Sequence, residues 1–291
     1  MTAHDAECAD SRPRDQAVSS LEQPQLNPRA RVGRLTGKVA IVTGAASQAE
    51  GVGNGAAVAM LFAREGASVV LVNRSLERAQ ALEATIRAEG GEAAAFTADV
   101  TDPEATQAMA AFAVEQYGRL DVLHNNVGVG APGDTVTVSL ENWDRIIQTN
   151  LTSAMLCCRA CIPRMRETGG GSIVNVSSTA GVLGLSGFGA AAYAATKAGL
   201  QGLTLSVAAD HAAEGIRANC LIVGTVATPL VRFLGEEGRE RRRKAVPLQT
   251  EGTAWDVAHA AVYFASDESR WVTGAMLPID GGFQSIRPWP R

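Results

Sequence analysis

The chain has 291 residues, of which 46% are hydrophobic and 19% are charged, so it can form one large domain or two small ones with a sizeable core. Its net charge of −4 gives no electrostatic reason to expect a nucleic-acid partner. No apolar run is long enough for a membrane span, and the first residues contain acids and no apolar core. We therefore expect no secretory signal, no membrane partner and a cytoplasmic location.

The five cysteines predict neither a disulfide framework nor a metal site. Their number is odd and no signal segment precedes them. Cys157 and Cys161 would share a helix face, but a metal needs more ligands and no histidine lies nearby in the sequence. We interpret the cysteines as small buried apolar residues.

Residues 1–34 are polar and lack an apolar period, which predicts a disordered or loosely attached arm. From Leu35 onward, short apolar runs alternate with longer helical segments. The predicted strands are 38–43, 67–72, 92–100, 120–126, 171–178, 216–224 and, with a turn, 274–282. The predicted helices are 54–66, 76–91, 103–118, about 140–167, 190–214 and 253–266.

This alternation predicts an α/β fold with a parallel sheet covered by helices on both faces. Right-handed crossovers then give a doubly wound domain. No break in composition marks a second domain, so residues 35–291 are expected to fold as one.

A glycine-rich turn, TGAASQAEGVGNGAA (43–57), follows the first strand and opens a helix. Such a turn lets backbone N–H groups approach a pyrophosphate at a helix N-terminus. By itself this pattern is also compatible with a flexible loop that binds nothing.

Five motifs in order resemble the short-chain dehydrogenase/reductase family between about Leu35 and Phe283. They are TGAAS with GVG, NNVG (125–128), QTNLTS (148–153), SS (177–178) with YAATK (193–197), and GTVAT (224–228) with LPIDGG (277–282). The resemblance implies a Rossmann-type sheet of about seven strands, usually in a homotetramer or homodimer. It also implies hydride transfer between NAD or NADP and a ketone or secondary alcohol as the small-molecule substrate.

Carried over position by position, the resemblance implies roles for particular residues. The catalytic set would be Asn150, Ser178, Tyr193 and Lys197, with Asn150 in the helix that completes a proton relay. The cofactor-binding set would be Gly44, Gly51, Gly53, Asn73, Arg74, Asp99, Val100, Asn125, Tyr193, Lys197, Val226 and Thr228.

The chemistry of Tyr193 and Lys197 can also be argued from their spacing. Residues four apart share a helix face, and a tyrosine with its ordinary pKa of about 10 is a poor base at neutral pH. A neighbouring ammonium should lower the phenol pKa towards the operating pH. Ser178 ends a strand, where its hydroxyl could donate to a carbonyl oxygen as charge develops.

The choice between NAD and NADP leans slightly to NADP. Asn73 stands at the end of the second strand, where an acid would favour NAD, and Arg74 follows, as suits a 2′-phosphate. Glu50 in the glycine loop points the other way. That loop carries about three extra residues, since six residues separate Gly44 from Gly51, which makes the roles of Gly51 and Gly53 less secure than that of Gly44.

Segment 226–250 would be the substrate lid in this family. Its RERRRK run also allows a solvated helix or, least of all, a nucleic-acid contact. For the whole chain, the alternatives are a non-catalytic dinucleotide sensor on the same fold and another reaction such as enoyl reduction or epimerisation. Enoyl reducers of this kind usually space tyrosine and lysine more widely than four residues.

Overall fold

Parallel strands form the central sheet of the structure, a computed structural model that describes residues 33–46, 51–185, 187 and 189–286, without the side chains of 230, 232 and 233. The strands are β1 (Val39–Thr43), β2 (Ser68–Asn73), β3 (Glu92–Thr97), β4 (Val122–Asn125), β5 (Gly171–Ser178), β6 (Ile216–Val223), β7 (Val226–Ala227), β8 (Gly252–Thr253) and β9 (Met276–Ile279). Seven of them are hydrogen-bonded in the order β3-β2-β1-β4-β5-β6-β9, and every pair is parallel. β7 and β8 form a separate short pair.

The helices fill the crossovers between these strands. They are α1 (Asn54–Arg64), α2 (Leu76–Ala88), α3 (Pro103–Tyr117), α4 (Leu140–Ile147), α5 (Ser153–Glu167), α6 (Ala191–His211), α7 (Gly235–Ala245) and α8 (Ala254–Ala265). The segment predicted as one helix over 140–167 is α4 and α5 joined by a π-helical turn, Gln148–Thr152. The predicted doubly wound Rossmann-type fold of about seven strands is confirmed.

Alternate residues of each strand pack into two different hydrophobic layers. In β1, Ala40 and Val42 face the layer that contains α1 and α8, whereas Val39 and Ile41 face the layer that contains α3 and α5. Successive strand side chains point to opposite faces, so a strand covered on both sides must be apolar throughout. Each fully buried Val, Leu or Ile contributes roughly 1.5–3 kcal/mol to the stability of the fold. Strands covered on both faces are therefore continuous apolar runs in the sequence.

The chain order places one edge of the sheet as the natural ligand site. After β3 the chain returns across β1 to β4, so the helices on either side of this point lie on opposite faces. Ligands of open α/β sheets bind beyond the carboxyl ends of the strands at such a reversal. β1 and β4 end there at Thr43 and Asn125, which are aligned neighbours.

The predicted arm, residues 1–34, lies outside the described residues except for its last two. Arg34 is bound to the domain: its side chain pairs with Glu268 and its backbone N–H donates to Glu65. Cys8 also lies outside the described residues, whereas the other four cysteines are buried with free thiols, as predicted. In the described part of the chain, no helix combines the length and apolar character needed to cross a membrane.

Candidate active site at the carboxyl edge of the sheet

The described part of the glycine loop brings α1 unusually close to the end of β1. A Cβ atom on Gly55 would stand 2.1 Å from the Gly44 carbonyl oxygen, so no larger residue fits there. Gly44 has a φ of 63° and its carbonyl accepts a hydrogen bond of 3.1 Å from the Asn126 side chain. The middle of the loop, 47–50, which includes Glu50 and the extra residues, lies outside the described residues.

The N-terminus of α1 has the properties of an anion site. Gly53 is its N-cap, with no side-chain cap and no acidic residue in the first turn. Unpaired N–H groups at a helix N-terminus carry partial positive charge. These residues therefore fit a pyrophosphate group.

A cavity of about 270 Å³ opens beside this helix terminus. The residues that line it are Gly51, Val52, Ala227, Thr228, Pro229, Val231 and Arg239. Of the two residues predicted to contact the nicotinamide carboxamide, Thr228 thus reaches the cavity, whereas Val226 is buried in the core. A larger cavity of about 560 Å³ lies at the opposite edge of the sheet and contains none of the predicted site residues.

Asn73 and Arg74 leave β2 in different environments. The Asn73 amide donates to the Ala46 carbonyl at 2.9 Å, and its oxygen accepts from the Ser75 N–H at 2.9 Å. Asn73 therefore stabilises the glycine loop. The Arg74 side chain is exposed, and its charge acts on the carboxylate of Asp99.

Asp99 and Val100 follow β3 at the same edge of the sheet. The Asp99 carboxylate accepts hydrogen bonds of 2.9 and 2.7 Å from the backbone and hydroxyl of Thr101, whereas the Val100 side chain is buried. Like Asn73, Asp99 is already engaged by a neighbouring residue.

Ser178, Tyr193 and Lys197 converge beyond the end of β5. The Ser178 hydroxyl is hydrogen-bonded to the Tyr193 phenol and accepts from the Ala180 N–H at 3.2 Å. The Lys197 Nζ lies 5.6 Å from the Tyr193 ring centroid and donates to the Val176 carbonyl at 2.8 Å. The predicted meeting of these three side chains is what the geometry shows.

The electrostatics of the pair differ from the expectation. Burial raises the pKa of Tyr193, and the Ser178 hydrogen bond offsets only part of that rise. Burial lowers the pKa of Lys197 to about 8. The net shift of the Tyr193 pKa is therefore opposite to the predicted lowering, because desolvation of the phenol outweighs the other effects on it, and the Lys197 ammonium donates to a backbone carbonyl.

Asn150 sits in the π-helical turn and joins two other segments. Its Oδ1 accepts from the Val129 N–H at 2.8 Å, and its Nδ2 donates to the Val129 carbonyl at 2.9 Å and to the Thr196 hydroxyl at 3.2 Å. Thr196 precedes Lys197 and donates to the Tyr193 carbonyl. Asn150 thus holds the loop after β4 against α6 with its side chain fully engaged.

Asn125 is not directed at the cavity. Its amide donates to Asn175 on β5 at 2.9 Å, and it is buried beneath the sheet edge. The neighbouring Asn126 holds Gly44 instead, a role that sequence reasoning missed, as it missed Thr196. The signal for Asn126 was its place one residue past β4, next to the end of β1.

Comparison with known proteins agrees with this geometry. The chain matches a family model described as enoyl-(acyl carrier protein) reductase over residues 44–284. It is 38% identical over 250 residues to a 2,5-dichloro-2,5-cyclohexadiene-1,4-diol dehydrogenase from Sphingobium indicum, which covers 86% of this chain and 97% of the relative. It is also 36% identical to a cyclohexanol dehydrogenase from an Acinetobacter species, over 87% of this chain and 97% of the relative.

The solved structures give the same result. A crystal structure described as a short-chain dehydrogenase/reductase from Burkholderia xenovorans superposes with a TM-score of 0.83 at 40% identity, over 88% of this chain and 100% of that one. The chain belongs to the short-chain dehydrogenase/reductase family. It is an NAD(P)-dependent oxidoreductase that acts on CH–OH and C=O groups.

Proposed function

We propose that the chain transfers a hydride between the nicotinamide of NADP or NAD and a ketone or secondary alcohol, with Tyr193 as the proton donor and acceptor. The observation that carries this proposal is the hydrogen bond between Ser178 and Tyr193 beside a buried Lys197. A carbonyl oxygen placed between the two hydroxyls could accept a hydrogen bond from each of them. A phenol carries its proton at neutral pH, so Tyr193 can donate that proton to a developing alkoxide.

Lys197 and Asn150 support that step. Lys197 holds positive charge close to the phenol and would favour the phenolate once Tyr193 has released its proton. Asn150 fixes the Val129 backbone and Thr196, so it positions the helix turn that carries both Tyr193 and Lys197. A π-helical turn of this kind is frequent at functional sites.

The dinucleotide site would be formed by Gly44, Gly53 and the N-terminus of α1, with Thr228 across the cavity. When bound, the dinucleotide supplies the hydride or accepts it. The preference for NADP is supported by the exposed Arg74 and by Asn73, which has no charge to repel a 2′-phosphate. Asp99 and Val100, after β3, are proposed to flank the adenine.

The substrate class is proposed from the relatives. Two of them are named for dehydrogenation of a hydroxyl group on a six-membered carbocycle, the dichlorocyclohexadienediol and cyclohexanol enzymes. Another, from Thermotoga maritima and 38% identical, is named a 3-oxoacyl-[acyl-carrier-protein] reductase. We propose a cyclic secondary alcohol or its ketone. A homotetramer or homodimer is the expected assembly, which sedimentation would test.

The test is absorbance at 340 nm with NADPH and NADH against cyclohexanones, diketones and β-ketoacyl thioesters, and with NADP+ and NAD+ against the matching alcohols. Tyr193→Phe is the test variant. Tyr117→Phe is the matched control, since its phenol contacts Glu92 on the surface. Loss of positioned acid/base catalysis should lower the rate of Tyr193→Phe by about 10²–10⁴-fold.

The outcome also separates the main alternative. Dinucleotide binding without turnover on any substrate, in either direction, would favour the non-catalytic sensor. Turnover that survives in Tyr193→Phe would overturn the assignment of the proton donor. The four-residue spacing of Tyr193 and Lys197 supports alcohol or ketone chemistry over enoyl reduction, despite the description of the matched family model.

A further inference from the structure

Arg239 lines the 270 Å³ cavity and belongs to the RERRRK run (239–244), which is not one of the family motifs. Arg239 lies in the first half of α7 and lines the cavity together with Gly51 and Val52. Its side chain is 40% exposed, whereas the carboxylate that it contacts, Glu251, is 3% exposed. Glu251 therefore holds the Arg239 guanidinium through its Nε atom, and the rest of the group is accessible from the cavity.

Glu251 fixes the position of two arginines at once. Its oxygens accept hydrogen bonds of 2.8 Å from Arg239 Nε and 2.8 Å from Arg242 Nε. Arg242 also donates to the Val226 carbonyl at 3.0 Å, which anchors α7 to β7. Arg243, the next residue, is paired with Glu236 and Glu240. Arg243 Nη1 also lies 3.9 Å from the Glu251 carboxylate, so three guanidinium groups surround one buried carboxylate. Residues 235–251 hold five basic and four acidic side chains, which leaves one positive charge in excess.

Arg239 retains donors for a ligand. Only its Nε is used by Glu251, and the other two guanidinium nitrogens form no hydrogen bond with any described residue. Gly51 and Val52 line the same cavity and directly precede the N-terminus of α1, which has no acidic residue in its first turn. Positive potential from two walls of a partly enclosed cavity attracts an anion more strongly than either wall alone.

We propose that Arg239 binds the diphosphate of the dinucleotide and so couples the position of α7 to cofactor binding. The proposal rests on the proposed function for the identity of the anion. Glu251 and Arg242 hold the helix, and Arg239 makes the contact. A planar guanidinium suits phosphate oxygens because two N–H groups can donate in parallel.

Binding of fragments tests this without turnover. Isothermal titration calorimetry would give Kd for NADP+ and NAD+, for ADP-ribose (2′-phosphorylated if the wild type prefers NADP) and for adenosine 2′-phosphate, which lacks the diphosphate. Arg239→Gln is the test variant and Arg241→Gln is the control. Both variants remove one positive charge from α7. Arg241 is a suitable control because its side chain is 71% exposed and pairs only with Glu237 among the described residues.

A charge-assisted hydrogen bond is expected to contribute about tenfold or more in Kd. Arg239→Gln should therefore weaken the dinucleotide and ADP-ribose about tenfold or more, and leave adenosine 2′-phosphate within about twofold. Arg241→Gln should leave all three within about twofold. The salt dependence of ADP-ribose binding should also be smaller in Arg239→Gln.

Two results would overturn the proposal. One is an unchanged Kd for ADP-ribose in Arg239→Gln. The other is an equal loss in Arg242→Gln, which breaks the anchor at Glu251 without lining the cavity and would assign the effect to the fold of α7. Failure of the wild type to bind any dinucleotide would instead contradict the proposed function, so the two failures can be told apart.

Discussion

The ammonium of Lys197 donates to the Val176 carbonyl over 2.8 Å, and Gly128 packs against the same Nζ. One contact comes from β5 and the other from the loop after β4. Together they determine where the charge stands relative to Tyr193. A buried ammonium loses most of its hydration, so its position depends on these two backbone segments.

Gly128→Ala should displace that ammonium. An added Cβ would lie 3.1 Å from Lys197 Nζ, closer than side chains normally pack. We expect kcat to fall about tenfold or more, because small misplacements of a catalytic group are costly, with little change in stability. Steady-state kinetics and urea unfolding would show both. Gly130→Ala is the control, because its Cβ would meet nothing within 4 Å; equal losses in both variants would refute the prediction.

The two adjacent serines at the end of β5 should give opposite phenotypes. Ser178→Ala removes a donor beside Tyr193 and should lower kcat by about 10²-fold or more, with stability retained. Ser177 is buried and donates to the Lys197 carbonyl at 2.6 Å. Ser177→Ala should therefore cost about 1–3 kcal/mol of unfolding free energy and affect kcat much less. A larger kcat loss in Ser177→Ala than in Ser178→Ala would contradict these roles.

His124→Leu should stabilise the protein, and more so at acid pH. His124 is fully buried, packs edge-on against Phe62, and neither ring nitrogen has a hydrogen-bond partner among the described residues. Leucine has no polar atoms, so the desolvation penalty of the two buried ring nitrogens is removed. We expect the free energy of unfolding to rise by about 1–3 kcal/mol at neutral pH.

The pH dependence follows from its pKa. Burial lowers the pKa of His124 from 6.5 to about 3. Between these values the unfolded chain binds a proton that the folded chain does not. Stability is therefore lost as pH falls through this window, by about 1.4 kcal/mol per pH unit at most. Urea unfolding from pH 7 to 4 should show a shallower loss of stability for His124→Leu than for the wild type, and equal slopes would contradict the prediction.

Arg74→Ser should reveal the cofactor preference. If the exposed guanidinium contacts a 2′-phosphate, Kd for NADP+ should rise about tenfold or more, and Kd for NAD+ should change less than about threefold. Arg78→Ser is the control, because Arg78 is an exposed arginine at the third position of α2. A similar change for both dinucleotides would instead indicate that Arg74 stacks on the adenine.

Much of the fold was predictable because both faces of this sheet are covered. Strand β5 was predicted with its observed bounds, Gly171–Ser178, and α3 with its start at Pro103, where Asp102 caps the helix. The π-helical turn at Gln148–Thr152 was missed. A π-helical turn holds one residue more than an α-helical turn between its hydrogen-bonded residues, and this leaves no clear mark in the apolar pattern. The turn is stabilised by the contacts that Asn150 makes with distant segments.

The local sequence determined the order of strands and helices, the glycine turn and the spacing of Tyr193 and Lys197, because periodicity and helix ends depend on neighbours a few residues away. Only the tertiary structure decided that burial raises the Tyr193 pKa, that Asn73 binds the glycine loop, that Asn125 points away from the cavity and that Arg239 points into it. These outcomes depend on contacts between segments far apart in the chain, and on how much water packing removes from each polar group.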